Sequence, residues 1–425
     1  MTELKKQKNR IIYRLTAIIT TVSLFSYMLA DTFPVYASEP KEIIVAVIDT
    51  GINTEHSFLK DNIWFNEGEI PGNGIDDDGN GFIDDVNGWD FYNNDNTVYH
   101  DICYESTFAT RQYEDDHGTA VAGMILQGAE KVCASGKYKI KIMSVKFGSN
   151  NAYLNKNDFN QELAVKAIEY AEKNGASICN LSWGGLNKYD SLEKAISNSK
   201  MLFVCSAGND GTNNESVPQY PASYSSPNVL SVTYADVGED VKIVGNVGRN
   251  SVDVCTHGID VWTSFSHGMG YMTGSSFSAA EVSGYAAALM ANTKLNAEEV
   301  AKAIIETSDK SPEITGYYMQ GGLCNPAKIA ELIGNMDQAE TVDDSAALLL
   351  NYNEISIECG KGFILKPFLL PAGSEAEVTF ELEDILFATF SYNGVVIGKN
   401  KGDVSITVKT KNGTEGSCLV HVYGD

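Results

Sequence analysis

Three short segments carry side chains whose combination can perform covalent chemistry. Asp49 closes the apolar run Ile43–Ile48 and is followed by Thr50-Gly51. His117 lies in Asp115-Asp116-His117-Gly118-Thr119 and enters the small-residue stretch Ala120–Gly123. Ser276 lies in Thr273-Gly274-Ser275-Ser276 and opens a helical pattern that runs to about Ala291. A serine hydroxyl is a weak nucleophile and needs a base within hydrogen-bond reach. Histidine can take that proton near neutral pH. A buried carboxylate holds the imidazole in one tautomer and stabilises its cation. A serine at a helix N-terminus also has backbone N–H groups and the helix dipole aimed at developing negative charge. Singly, the segments read as a turn, a His-Gly pair and a loop or cap. Together, in the order Asp, His, Ser, they read as one nucleophilic site.

These residues need elements to hold them. From Lys41 to about Ile333, strand-like and helix-like patterns alternate. The continuous apolar runs Ile43–Ile48, Ile140–Phe147, Ile178–Trp183, Met201–Ala207 and Val229–Tyr234 suit strands buried on both faces. Between them, Phe159, Leu163, Ala167 and Ala171 recur at helical spacing, with Asp158 as a candidate cap and Gly175 past the end. Asn296 with Glu299 forms a capping-box pattern ahead of a helix through Ile305. The alternation predicts an α/β domain with a mainly parallel sheet, whose chemistry sits beyond the carboxyl ends of the strands.

On these motifs the chain resembles the subtilisin-like serine proteases, the peptidase S8 family, over about residues 41–333. The resemblance implies a three-layer α/β/α peptidase domain, placed at 41–335, with Asp49, His117 and Ser276 as triad. Ser206-Ala207-Gly208-Asn209-Asp210 resembles the family segment that supplies the oxyanion asparagine, here Asn209. Asn180-Leu181-Ser182-Trp183-Gly184-Gly185 resembles the substrate-pairing strand, so Ser182, Trp183 and Gly184 are expected to contact substrate. The chain departs from the family at Ala120, at Ser275 (commonly threonine), at Phe277 (commonly methionine) and at Ala280-Glu281. These departures bear on specificity and local rigidity, since the triad is complete.

Between the first two motifs lies Asn73-Gly74-Ile75-Asp76-Asp77-Asp78-Gly79-Asn80-Gly81-Phe82-Ile83-Asp84-Asp85. Counted from Asp76, it places Asp78, Asn80, the Phe82 carbonyl and Asp84 at alternate positions of an EF-hand-type loop, with Gly81 at the sharp turn. Hard oxygen ligands so spaced suit a structural Ca²⁺. The final position is Asn87 rather than a bidentate glutamate, and Asp85 is a candidate substitute. A solvated acidic turn is the alternative.

After about Asp337 the texture changes. Residues 338–347 read as a linker, and 349–423 as short strands and turns, a small all-β sandwich. Tyr392–Gly398 followed by Gly402–Val408 resembles the bacterial Ig-like domains of surface proteins, which implies a spacer or a module for a cell-surface or wall ligand. At the other end, Lys5, Lys6, Lys8 and Arg10 precede the apolar stretch Leu15–Ala30, and Val35-Tyr36-Ala37 offers a cleavage site. Residues 1–37 therefore read as a secretory signal peptide, with an uncleaved anchor as the alternative. Ser38–Glu42 is too short to fold, so no folded propeptide is expected between signal and first strand.

The 31 basic against 56 acidic residues give a net charge of −25, which argues against non-specific binding to nucleic acid or anionic membranes. The eight cysteines form no CxxC pair. Cys179 and Cys205 read as buried thiols, while Cys103 with Cys133 and Cys359 with Cys418 are candidate disulfides in an oxidising compartment. The reading that fits best is a secreted serine endopeptidase acting on polypeptide. Two alternatives stay open: a maturation protease with one peptide substrate, its cleft narrowed by the insert Asn93–Asp115, and a non-catalytic surface adhesin.

Overall fold

The computed structural model describes residues 41–424 apart from 106–110, 134–137, 150–159, 239, 311–313, 315–317, 340–346, 351, 366, 371–377, 385, 391–394 and 411–413. The expected signal segment 1–37 lies outside the described residues. The peptidase region contains strands β1 (Glu42–Asp49), β2 (Gly88–Asp90), β3 (Cys103–Glu105), β4 (Arg111–Tyr113), β5 (Lys139–Lys146), β6 (Ile178–Leu181) and β7 (Leu202–Ser206). It continues with β8 (Val229–Val237), β9 (Val241–Ile243), β10 (Val254–His257), β11 (Val261–Phe265), β12 (Gly268–Met272) and β13 (Gly322–Leu323). Its helices are α1 (Asp116–Val132), α2 (Gln161–Lys173), α3 (Asp190–Asn198), α4 (Ser275–Asn292), α5 (Ala297–Thr307) and α6 (Pro326–Ala339).

The main sheet runs in the order β13-β10-β8-β7-β6-β1-β5-β2, with β9 added antiparallel to β8. All its other pairings are parallel, as the continuous apolar runs require. Alternation along β1 sends Val45 and Val47 to one face and Ala46 and Ile48 to the other. The first face packs on α1, α4, α5 and α6, and the second on α2 and α3. This is the expected layered α/β arrangement. Because the strands are parallel, their carboxyl ends share one edge of the sheet, and the N-terminus of α1 meets the end of β1 there, where Gly118 N–H donates to Thr50 Oγ1.

Several local expectations hold and others need adjustment. The Asn296–Glu299 capping box forms as read, with both reciprocal bonds present. The cap of α2 is Asn160, whose side chain accepts the Glu162 N–H, while Asp158 lies outside the described residues. β6 ends at Leu181, so Ser182 and Trp183 lie beyond it. α6 runs to Ala339, past the boundary expected at 335 and into the expected linker, most of which is not described.

The C-terminal region is all β among the described residues. Its strands are β14 (Ala347–Leu350), β15 (Glu354–Glu358), β16 (Gly362–Ile364), β17 (Pro367–Leu370), β18 (Val378–Leu382), β19 (Ala388–Phe390), β20 (Val395–Gly398), β21 (Gly402–Thr410) and β22 (Glu415–Tyr423). They form a four-stranded sheet β15-β22-β21-β18, a three-stranded sheet β16-β20-β19 and the pair β14-β17. Val396, Val404, Ile406, Val408 and Val420 lie in its core.

The candidate disulfides do not form. Cys103 lies exposed on β3 and is not joined to Cys133, buried at the end of α1. Cys418 is buried in the C-terminal core, whereas the Cys359 Sγ lies by the Gly424 carbonyl. Cys179 and Cys205 are buried thiols as expected, and burial pushes both thiol pKa values up.

Candidate active site

Asp49 is the last residue of β1 and is fully buried. Its Oδ1 accepts the Thr50 N–H at 2.7 Å and lies 2.7 Å from His117 Nδ1. An ionised carboxylate only accepts, so His117 Nδ1 carries the proton and Nε2 is the basic nitrogen. Asp49 Oδ2 is buried and has no hydrogen-bond partner among the described residues. Burial disfavours the charged imidazole, but attraction to Asp49 outweighs it, and the His117 pKa lies above the ordinary histidine value.

His117 is the second residue of α1. The helix is docked tightly against the end of β1. Gly118 N–H donates to Thr50 Oγ1 at 3.1 Å, and a Cβ on Gly118 would meet the Gly51 carbonyl oxygen at 2.2 Å. Gly51 has φ +126° and likewise admits no side chain. The glycines that follow Asp49-Thr50 and His117 allow this close approach of backbone.

Ser276 occupies the first turn of α4 and is 7% exposed. Its hydroxyl donates to the Ser182 carbonyl at 3.0 Å, and Ser182 Oγ donates to the Ser276 carbonyl at 2.8 Å. Its neighbour Phe277 sets its ring 5.5 Å from the His117 imidazole. The head of α4 and the His117 imidazole are thus brought together through Phe277, with the Ser276 hydroxyl bonded to the Ser182 carbonyl. Catalytic hydrogen bonds often tighten only when substrate binds.

Asn209 follows β7 on an exposed turn. Its Oδ1 accepts the Ser275 N–H at 2.8 Å and the Ser275 hydroxyl at 2.7 Å. The amide is thus oriented with its –NH₂ end turned away from Ser275. Ser275 Oγ also accepts from Gly208 N–H at 3.3 Å and lies 2.7 Å from Ser206 Oγ. Of the expected substrate strand, Gly184 lies at the surface beside Tyr220, and a Cβ there would approach the Tyr220 carbonyl oxygen to 3.2 Å. The Trp183 side chain turns inward instead. Its indole N–H donates to the Ile48 carbonyl at 2.8 Å and its ring packs on Phe147. Trp183 supports the end of β1 with its side chain and leaves only backbone for a ligand.

The acidic loop assembles differently from the EF-hand count. Asp76 caps the Asn80 and Gly81 N–H groups, Asp84 caps those of Asn73 and Gly74, and the Asn80 side-chain oxygen accepts the Phe82 N–H. The Phe82 ring is anchored edge-on to Trp89, Phe91 and Tyr170. Asp78 instead joins Glu69 and Asp85, and one carboxylate oxygen from each lies within 4.8 Å of the others. These are hard oxygen donors. Burial raises the Asp85 pKa, and repulsion from Asp78 adds to it, a charge arrangement that a divalent cation would relieve. Glu69 was not expected from the sequence, because it lies outside the loop spacing.

Lys146, Glu114 and Thr50 were also not singled out from the sequence. The available signal was a lysine inside the apolar run Ile140–Phe147. Its side chain is fully buried and bonds the Thr50 carbonyl, Glu114 Oε1 at 3.1 Å and Asp115 Oδ1 at 2.6 Å.

Residues 40–328 match the model of the Subtilase family, Peptidase S8. The chain is 30% identical over 289 residues to "Thermophilic serine proteinase" of Bacillus sp. (strain AK1), covering 66% of this chain and 60% of that protein. It is 26% identical over 294 residues to "Thermitase" of Thermoactinomyces vulgaris, covering 68% and 88%. Among solved structures, one described as "Structural basis of subtilase cytotoxin SubAB assembly" aligns with TM-score 0.52 and 19% identity over 71% of this chain and 92% of that one, a likeness of fold.

Proposed function

We propose that this chain, which belongs to the subtilase (peptidase S8) family of serine peptidases, hydrolyses peptide bonds of extended polypeptides through an acyl-enzyme. The observation that carries the reading is the 2.7 Å contact between Asp49 Oδ1 and His117 Nδ1, together with a serine at the head of α4 whose neighbour Phe277 sets its ring 5.5 Å from that imidazole. Substrate binding draws the Ser276 hydroxyl from Ser182 to His117 Nε2. The Ser276 oxygen attacks the scissile carbonyl carbon as its proton passes to Nε2. The tetrahedral oxyanion is held by the Ser276 backbone N–H and the Asn209 –NH₂, whose Oδ1 is tied to Ser275. The imidazolium then protonates the leaving amine, and the C–N bond breaks. Water, deprotonated by His117, releases the acid and restores the serine. Ser182 and Gly184 offer backbone to the substrate on one side of the cleft.

A serine-directed fluorophosphonate tests this. Wild type should be labelled at Ser276 and should cleave a peptide library, and Ser276→Ala should do neither. Folded wild type that stays unlabelled and inactive would support the adhesin reading instead.

Glu69, Asp78 and Asp85 are the residues we assign to a structural Ca²⁺, which would neutralise their mutual repulsion and take no part in the chemistry. The basic and apolar N-terminal segment supports secretion, tested by the N-terminal sequence of protein recovered from medium. The C-terminal sheets, with the Tyr392–Val408 resemblance, support an Ig-like module for a surface or wall ligand. Binding of residues 347–425 to isolated cell walls tests that role.

A further inference from the structure

β1 and β5 are parallel and in register, with Asp49 opposite Lys146. Alternation sends both side chains to the face that carries α1, since Val45 and Val47 on β1 and Ile140 and Ile142 on β5 lie there. Lys146 therefore reaches the site from the neighbouring strand. Its ammonium has three N–H groups, and the structure supplies three acceptors: the Thr50 carbonyl, Glu114 and Asp115. Asp115 is held from its other side, where Oδ2 accepts the His100 N–H at 2.5 Å.

Burying an ion pair is a poor way to gain stability, because a well-packed apolar side chain usually serves as well or better. The third bond of Lys146 suggests what the charge does here. It grips the carbonyl of Thr50, and Thr50 touches both members of the acid–base pair. The Thr50 N–H donates to Asp49 Oδ1, and its Oγ1 accepts from Gly118, the residue after His117. One residue thus sets the carboxylate and the helix that carries the imidazole, and Lys146 fixes that residue.

We propose that Lys146 is a positioning residue for catalysis, acting through Thr50 to hold the Asp49 carboxylate and the His117 imidazole in register. It touches neither substrate nor reacting atoms. The inference rests on the peptidase reading above. The groups facing the ammonium are Glu114 and Asp115 ahead of α1 and, at longer range, Asp90 at the end of β2.

The test uses the full chain. Lys146→Met alone would strand two buried carboxylates, so it is made together with Glu114→Gln and Asp115→Asn, and read against the double variant Glu114→Gln/Asp115→Asn. On a fluorogenic peptide, removal of Lys146 should lower kcat by about ten- to a hundredfold with KM within about twofold, the signature of misplaced groups rather than lost binding. The low-field proton resonance of His117 Nδ1–H, assigned by its loss in Asp49→Ala, should shift upfield or broaden. Thr50→Val, which keeps the backbone bonds but deletes the Gly118 contact, should lower kcat several-fold, and it stands as the second test should the triple variant not fold. A triple variant with the kcat and proton resonance of the double, or Thr50→Val with wild-type kcat, overturns the proposal. If wild type neither cleaves peptide nor reacts with fluorophosphonate, the peptidase reading fails, while the resonance still decides whether Lys146 holds the Asp49–His117 pair.

Discussion

Replacing Asp49 with asparagine probes the link between the carboxylate and the imidazole. The substitution keeps the size of the side chain and removes its charge. The 2.7 Å contact to His117 Nδ1 would then face either an amide oxygen or an amide –NH₂. Thr50 N–H is a donor that needs Oδ1 as its acceptor, so it competes for the single amide oxygen. Where the –NH₂ faces His117, Nδ1 must accept, the proton moves to Nε2, and the nitrogen that should receive the Ser276 proton is already occupied. Loss of the correct tautomer costs on the order of 10⁴ in kcat, or roughly 5 kcal/mol of barrier. The pH dependence has a definite sign. In wild type Asp49 raises the His117 pKa against the opposing effect of burial, so the acid limb of kcat/KM lies at higher pH than an ordinary histidine would give. Without the carboxylate only the burial effect remains, and the residual activity should carry an acid limb displaced to lower pH. The raised pKa also means that the Asp49–His117 pair adds stability at pH values below the unfolded histidine pKa, and that this contribution fades as pH rises through the folded value. Pre-steady-state kinetics and kcat/KM profiles from pH 5 to 10 measure both effects. An asparagine variant with wild-type kcat, or an acid limb that stays in place or moves to higher pH, refutes the assignment.

Three further outcomes follow from the geometry. Asn209→Leu should lower kcat by about 10²–10³ with KM nearly unchanged, the usual cost of one oxyanion donor, as measured on a peptide amide. Ser275→Ala removes the hydroxyl that orients Asn209 and should lower kcat by about tenfold, one hydrogen bond's worth of positioning, with Ser275→Thr restoring it. Ca²⁺ should raise the melting temperature by mass action on the folded state, chelator should reverse this, and Asp78→Ala should abolish the response; a melt indifferent to chelator in wild type would leave the loop as a solvated turn.

The parts of the site legible in the sequence are those that obey a local rule. Asp49 ends a continuous apolar run, and parallel strands buried on both faces produce such runs whatever packs beside them. The capping box at Asn296 and Glu299 depends on residues three apart and formed as read. What stayed hidden depends on contacts distant in sequence. Glu69 meets Asp78 and Asp85 only because the chain from Asn66 folds back on the loop, with the Glu69 carboxylate accepting the Asp77, Asp78 and Asp84 N–H groups. An EF-hand count cannot see a ligand that precedes the loop, and of the carboxylates it singled out only Asp78 falls in the cluster with Glu69 and Asp85. The expected contact of the Trp183 segment with substrate says nothing of its side chain, and the indole turns to the Ile48 carbonyl, a contact 135 residues away in sequence.

Lys146 and Ser275 make the same point about where rigidity comes from. Both lie one step from the reacting groups, and each joins two segments that meet only in the folded sheet. Ser275 donates to Asn209, so the Ser206 hydroxyl and the Gly208 N–H must donate to it. That single oxygen ties the end of β7 to the head of α4. Lys146 likewise ties the end of β5 to the turn after β1. Parallel strands bring their carboxyl ends to one edge, but their backbone bonding stops there, and the residues just beyond the edge have no ladder to hold them. Side-chain bonds between neighbouring strand ends supply what the ladder no longer can. They join the segments that carry Asp49, His117, Ser276 and Asn209, and the departure from threonine at Ser275 leaves these bonds intact, because they are made by the hydroxyl, which serine keeps.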